Sequence, residues 1–234
     1  MTQRTDQPQI LAVDELDRPL RSVGKASAHQ NGGQLHRAFT LVLANGRGDL
    51  LWAQRAPSKP LWPGAWDATV ASHPEADRDG ADAEPFEVAG ERRVREELGL
   101  SPNVHLDVFN AGRFRYRLED EERGVEHEVC AALFARLPDD LDLDQQLRPH
   151  PEEISALRLE SLEGFLTRGE CHLHLVAPWA CFALEAARRA GWGRTATPSG
   201  LGESLDAFSG PAPALDQALK ELGPQAGLAF LDRP

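Results

Sequence analysis

A chain of 234 residues with 41% apolar side chains has material for one domain with a full core and too little for two large ones. Its formal net charge of −12 argues against a nucleic-acid partner, because a phosphate backbone calls for a basic face. No apolar run reaches the length of a membrane span, and three cysteines without paired spacing (Cys130, Cys171, Cys181) argue against a disulfide framework.

Residues 1–8 lack the apolar core of a signal peptide and read as a disordered lead-in to a cytoplasmic protein. A hairpin is expected from 9–13 and 20–23, followed by a polar loop, 26–34, that carries His29. Residues 38–43 and 50–54 read as strands joined by a turn at Asn45-Gly-Arg-Gly48, and 66–71 as a third strand after a Pro-Gly turn. Residues 84–98 make the clearest helix: Phe86, Ala89, Val94 and Leu98 form a loosely helical stripe, and Gly99 supplies the stop. Strands over 104–116 and 127–136 flank an acidic loop, 119–122, and helices are expected at 162–168 and 178–190. From about Thr195 the composition turns to Gly, Pro, Ser and Ala. The segment 195–234 therefore reads as a peripheral tail with one short helix, 214–222.

In the helix, Glu96, Glu97, Gly99 and Leu100, with Glu84 upstream, resemble the second half of the Nudix box. Such a box presents carboxylates to hold Mg²⁺ against a diphosphate. Two positions depart from it. Arg78 stands where the pattern has a glycine, and Arg93 stands where hydrolytic members have a metal-binding glutamate. A guanidinium repels a cation rather than ligating it. Arg92-Arg93 resembles instead the type I isopentenyl-diphosphate isomerases, a branch of the Nudix fold in which the second arginine meets the substrate diphosphate. By itself the helix reads equally well as a charged surface helix with i,i+4 pairs.

The loop Leu61-Trp-Pro-Gly-Ala-Trp-Asp-Ala-Thr-Val-Ala-Ser-His73 resembles the active-site loop of that family, except that Ala71 occupies the place of the catalytic cysteine. The resemblance covers about 9–190 and implies an α/β (α+β) Nudix fold with a mixed sheet sandwiched between helices. It also implies that His29, His36, His73, Glu126 and Glu128 hold a divalent ion, and strand alternation puts both glutamates on one face and His127 on the other. That mixed nitrogen and oxygen set suits Mn²⁺ or Mg²⁺, with Zn²⁺ left open. Glu97 is implied as the link between a Mg²⁺ and the diphosphate, and Lys25, Arg55, Lys59 and Arg93 as its basic contacts. Glu128 is implied as the proton-transfer carboxylate, Tyr116 as its hydrogen-bond donor, and Trp179 as the π face over a carbocation. His105, His150, His172 and His174 match nothing in the family and read as structural.

A methyl group at position 71 cannot move a proton, and Ser72 belongs to the other face of the strand. Three readings remain. The first is an isomerase of isopentenyl and dimethylallyl diphosphate whose proton relay runs through water or another group. The second is a Nudix hydrolase of a nucleotide or other diphosphate, which Trp66-Asp67 and a small residue at 71 resemble and Arg93 opposes. The third is a diphosphate binder without turnover. The retained His and Glu set favours the first, with a small-molecule diphosphate as partner and neither nucleic acid nor membrane; no oligomeric state follows.

Overall fold

The computed structural model of the protein describes residues 8–77, 79–120, 123–138, 141–167, 175–190 and 212–231. The lead-in 1–7, Arg78, Glu121, Glu122, Arg168, Cys171, His172, His174 and the stretch 191–211 lie outside the described residues. In chain order the first half contains β1 (Gln9–Val13), β2 (Pro19–Gly24), α1 (Lys25–Ala28), β3 (His36–Ala44), β4 (Asp49–Arg55), β5 (Trp66–Asp67), β6 (Val70–Ser72) and α2 (Phe86–Leu98). The second half contains β7 (Phe109–Asp120), β8 (Gly124–Arg136), α3 (Leu143–Gln146), β9 (Ile154–Ser161), α4 (Leu162–Thr167), α5 (Pro178–Arg189), α6 (Pro213–Leu222) and β10 (Ala229–Leu231).

β3 is apolar along both faces and runs parallel to β8, from His36↔Glu128 to Ala44↔Arg136. A strand that is apolar on both faces stays out of water only at the centre of a covered sheet. Alternation then sorts its side chains. Ala38, Val42 and Ala44 join Cys130, Ala132 and Phe134 in one core, beneath α4, α5 and α6. Phe39, Leu41 and Leu43 join Ala131, Leu133 and Ala135 in the other, beneath Ala89, Val94 and Leu98 of α2. The mixed sheet sandwiched between helices is therefore present. No helix among the described residues is long and apolar enough to cross a membrane.

Four local expectations need correction. The single strand over 66–71 is two, because the chain changes partner: β5 pairs with β4 and β6 with β3. At the break, the Thr69 hydroxyl replaces missing ladder bonds, donating to the Leu51 carbonyl at 2.7 Å and accepting from the Leu43 amide at 2.8 Å. The strand expected from 104 starts at Phe109, and Val104 and Leu106 instead pack on α2 from a loop. The acidic segment expected as a loop from 119 to 122 is in part strand, since β7 runs to Asp120. The tail is not wholly peripheral: α6 buries Leu215 and Ala218 against α4 and α5, and β10 extends the sheet by pairing with β7 at Arg113 to Arg115.

Candidate active site

Strand register brings the central residues together. Glu128 on β8 is directly opposite His36 on parallel β3 and directly opposite Tyr116 on antiparallel β7. The Tyr116 hydroxyl donates to Glu128 Oε2 at 2.6 Å, and His36 Nε2 stands 3.5 Å from Glu128 Oε1. β6 lies on the other side of β3, with Ala71 opposite Thr40, and delivers His73 just past its end. His29 arrives from the loop after α1, whose backbone is tied to the start of β8 by the Val125 amide donating to the His29 carbonyl. Gly124 makes this approach possible, since a Cβ there would lie 2.6 Å from that carbonyl oxygen.

One ligand atom from each of His29, His36, His73 and Glu128 falls within 4.8 Å of the others, so these four could hold a metal ion. His73 Nε2 is 3.1 Å from His36 Nε2 and 3.2 Å from Glu128 Oε1. Cis donors around an ion bound at about 2.1 Å stand roughly 3 Å apart, so these separations suit a shared cation. The tautomers also fit. His36 Nδ1 lies 2.7 Å from the Gln34 carbonyl and His29 Nδ1 3.1 Å from that of Val125, so a proton on each Nδ1 leaves Nε2 as a lone pair. Burial, with Lys25, His36 and His29 nearby, holds His73 well below the ordinary imidazole range, in the neutral form that ligation requires. Burial pushes His29 down as well, but Glu126 beside it more than compensates and raises it. Glu126 stands outside the group of four, and its buried Oε2 has no hydrogen-bond donor although His29 Nδ1 is 3.1 Å away. Burial opposes ionisation of Glu128, yet before a metal displaces the second proton of these imidazoles the hydrogen bond and charge of His36, then His29, hold its carboxyl at about 2.

A cavity opens over this group. Lys25, Arg55, Lys59, Ala71, Tyr116, Glu126, Glu128 and Trp179 line it, together with His29 and His73. Ser72 borders it too. The Lys25 ammonium has no hydrogen-bond or ion-pair partner among the described residues, and burial together with Lys59 and Arg93 lowers its pKa. Such a group is poised to accept an anion. Arg55 is largely engaged: its guanidinium donates to the carbonyls of Leu61 and Trp62 and faces Asp67 at 3.3 Å, clamping the loop. Arg93 does not line this cavity. It pairs with Glu97 at 2.6 Å and with Glu153 at 3.3 Å, and Glu153 also pairs with Lys59. Glu97 lines a smaller cavity next door, with Asp67, Glu153, Arg55, Lys59 and Ala71.

Two residues of this arrangement were missed in the sequence. Glu153 couples Lys59 to Arg93, and its only signal was an acidic pair ahead of an unanticipated strand, β9. Asp67 is buried, with both carboxylate oxygens facing Trp179 Nε1 at 2.8 and 2.9 Å. His127 turns away and faces the Gly33 carbonyl, as alternation required. His105 and His150 sit apart, beside Asp107 and the Glu152 amide.

Residues 34–177 match the NUDIX domain family. An isopentenyl-diphosphate Delta-isomerase of Haloarcula marismortui is 36% identical over 179 residues, covering 76% of this chain and 90% of that protein. The chain belongs to the isopentenyl-diphosphate isomerase branch of the Nudix family. A Streptomyces coelicolor member of the branch is 35% identical over 189 residues, covering 80% of this chain and 87% of its own. The fold is shared with a Deinococcus radiodurans protein of known crystal structure, at a TM-score of 0.56 and 20% identity, over 77% of this chain and 99% of that one. Like its relatives in the branch, this chain is an enzyme of the isomerase type, and its His and Glu group could hold a divalent metal.

Proposed function

We propose that the protein interconverts isopentenyl and dimethylallyl diphosphate, with a domain over 9–190 that works in the cytoplasm. The observation that carries this reading is the cavity in which Tyr116 and Glu128, the latter directly opposite His36, meet Trp179, His29, His73 and Lys25, whose ammonium has no partner among the described residues. A hydrolase would need an acidic side chain at position 93, where this chain has an arginine already paired with Glu97.

Each residue then has a part. Lys25 and Lys59 receive the diphosphate, with Arg55 holding the loop above it and Arg93 reached when the diphosphate displaces Glu153. Glu97 would hold the Mg²⁺ that accompanies the diphosphate. His29, His36, His73 and Glu128, with Glu126 beside them, would hold a second divalent ion, Mn²⁺ or Mg²⁺, which would supply positive charge beside the proton-transfer carboxylate. Glu128 exchanges a proton with the allylic carbon, and Tyr116 fixes the orientation of its Oε2. Trp179 covers the carbon skeleton, where an indole face over a cation contributes roughly 2 kcal/mol when water is excluded.

The test incubates the protein with isopentenyl diphosphate, Mg²⁺ and Mn²⁺ in D₂O. Enzyme-dependent deuterium in dimethylallyl diphosphate is expected. Phosphate release without isomerised product would move the activity to hydrolysis and overturn the reading.

A further inference from the structure

Ala71 removes a proton carrier from the isomerase site, and the structure contains a buried carboxyl close to where that carrier is missing. Asp67 ends β5, is 3% exposed, and is held by Trp179 Nε1 on both oxygens and by Arg55 Nη1 on one. It borders the smaller cavity, of about 10 Å³, a space on the order of one water. Arg55, Lys59 and Ala71 line both this cavity and the larger one over Glu128, so Ala71 stands at the boundary between the two spaces. Ala71 packs with the core that contains Tyr116 and Trp179, so a longer side chain at 71 would project toward them. A methyl leaves that volume to solvent.

We propose that Asp67, acting through a water beside Ala71, delivers the proton that a thiol at position 71 would deliver. The inference rests on the isomerase reading above. In the forward direction a proton leaves the Asp67 carboxyl for the water, and a proton of that water goes to the terminal methylene carbon of the isopentenyl group. The π electron pair forms the new C–H bond. Glu128 takes the proton from the allylic carbon, whose C–H pair becomes the new double bond. Asp67 ends ionised, Glu128 ends protonated, and exchange with solvent resets both. Ala71 on β6 and Glu128 on β8 flank β3, so a water beside Ala71 and the Glu128 carboxyl reach the substrate from different strands.

The surroundings of Asp67 suit a proton donor. Burial pushes its carboxyl up to about 6 against the pull of Arg55 and of the Trp179 hydrogen bond, and Glu97 on α2 adds to the rise. Lys59 and Glu153 line the same small cavity, and the thiols of Cys130 on β8 and Cys181 on α5, both raised by burial, also face Asp67 electrostatically. Cys130 is no substitute carrier, since it borders neither cavity and its sulfur lies 3.4 Å from the Thr40 hydroxyl.

The experiment compares the wild type, Asp67→Asn, Ala71→Cys and the double variant for deuterium incorporation from D₂O, between pH 5 and 9. Asp67→Asn should cost about 10²- to 10⁴-fold in the wild-type background and less than about tenfold beside Ala71→Cys, where a thiol takes over. Wild-type activity should fall as pH rises past about 6, and Ala71→Cys should move that limb toward the thiol range, about 8.5. Equal loss in both backgrounds would show that Asp67 only anchors Trp179 and would overturn the inference while leaving the isomerase reading intact. Activity in Ala71→Cys alone would overturn it too, and inactivity of all four proteins would remove the isomerase reading with it. Should Asp67→Asn not fold, the two pH profiles still decide, and coincident limbs overturn the relay.

Discussion

At the scale of single residues, Asp67 can be tested without any turnover. Its folded carboxyl sits at about 6, above the ordinary 3.8, because burial disfavours the charge. A raised carboxyl binds its proton more tightly when folded, so this group favours the folded state below about pH 4. That contribution is lost as pH rises through about 6. The loss amounts to up to about 3 kcal/mol, the shift expressed as energy. Urea midpoints measured between pH 4 and 7 should therefore fall less steeply in Asp67→Asn than in the wild type, and parallel slopes would sink the assignment. The contrast with the histidines shows what a sequence carries. His29, His36, His73 and Glu128, implied together by the family resemblance, converge within 4.8 Å, whereas Glu126, which alternation puts on the face of Glu128, stands outside that group. The role of Asp67 depends on Trp179, 112 positions away, and on how α5 lies over the sheet. No local pattern encodes that packing.

At the scale of elements, α2 was readable because its apolar stripe and its stop signal agree. Gly99 ends the helix in the left-handed region at φ 59°, and a Cβ there would lie 2.4 Å from the Arg148 carbonyl oxygen. Leu98 and Glu97 in turn accept from the Arg148 and His150 amides, so this turn also docks the segment leading to β9. Gly99→Ala is expected to cost more than the usual 1–2 kcal/mol of a left-handed alanine, because backbone has to move. The loss should appear in thermal melting, and since Glu97 sits two residues before the cap, Mg²⁺-dependent substrate affinity should weaken with it. An unchanged melting temperature would contradict the contact. β9 was illegible for an opposite reason. Its residues are mostly half-buried rather than alternating, so its place is set by pairing with β4 from Asp49↔Ser161 onward. The split of β5 from β6 was hidden likewise, since a change of partner strand leaves no trace in apolar composition.

At the scale of the molecule, the composition of the last forty residues suggested a tail, and the fold makes part of it structural. Pro213 opens α6 at a position where its missing amide costs nothing, and Leu215 and Ala218 then face α4 and α5. β10 adds to the edge of β7 through Ala229↔Arg115, and the Arg117 amide donates to the Ala226 carbonyl. These contacts flank Tyr116 on the same strand, so the segment braces the strand that presents the hydroxyl to Glu128. Arg189 on α5, with its guanidinium 4.0 Å from the centre of the Phe230 ring, ties the same edge to the helix that carries Trp179. Two walls of the proposed site thus share one clamp. Leu215→Ala removes a side chain that is 1% exposed and should cost about 2–5 kcal/mol. Removal of residues 212–234 should cost more and expose the β7 edge, which invites association through unpaired strand groups. If the segment braces Tyr116, both changes should lower turnover more than substrate affinity, because the proposed diphosphate contacts lie on α1, α2, β4 and the loop before β5, away from β10 and α6. Melting temperature, light scattering and a split of kcat from KM would measure the three effects, and a truncated protein with wild-type melting and turnover would return the segment to the status of a tail.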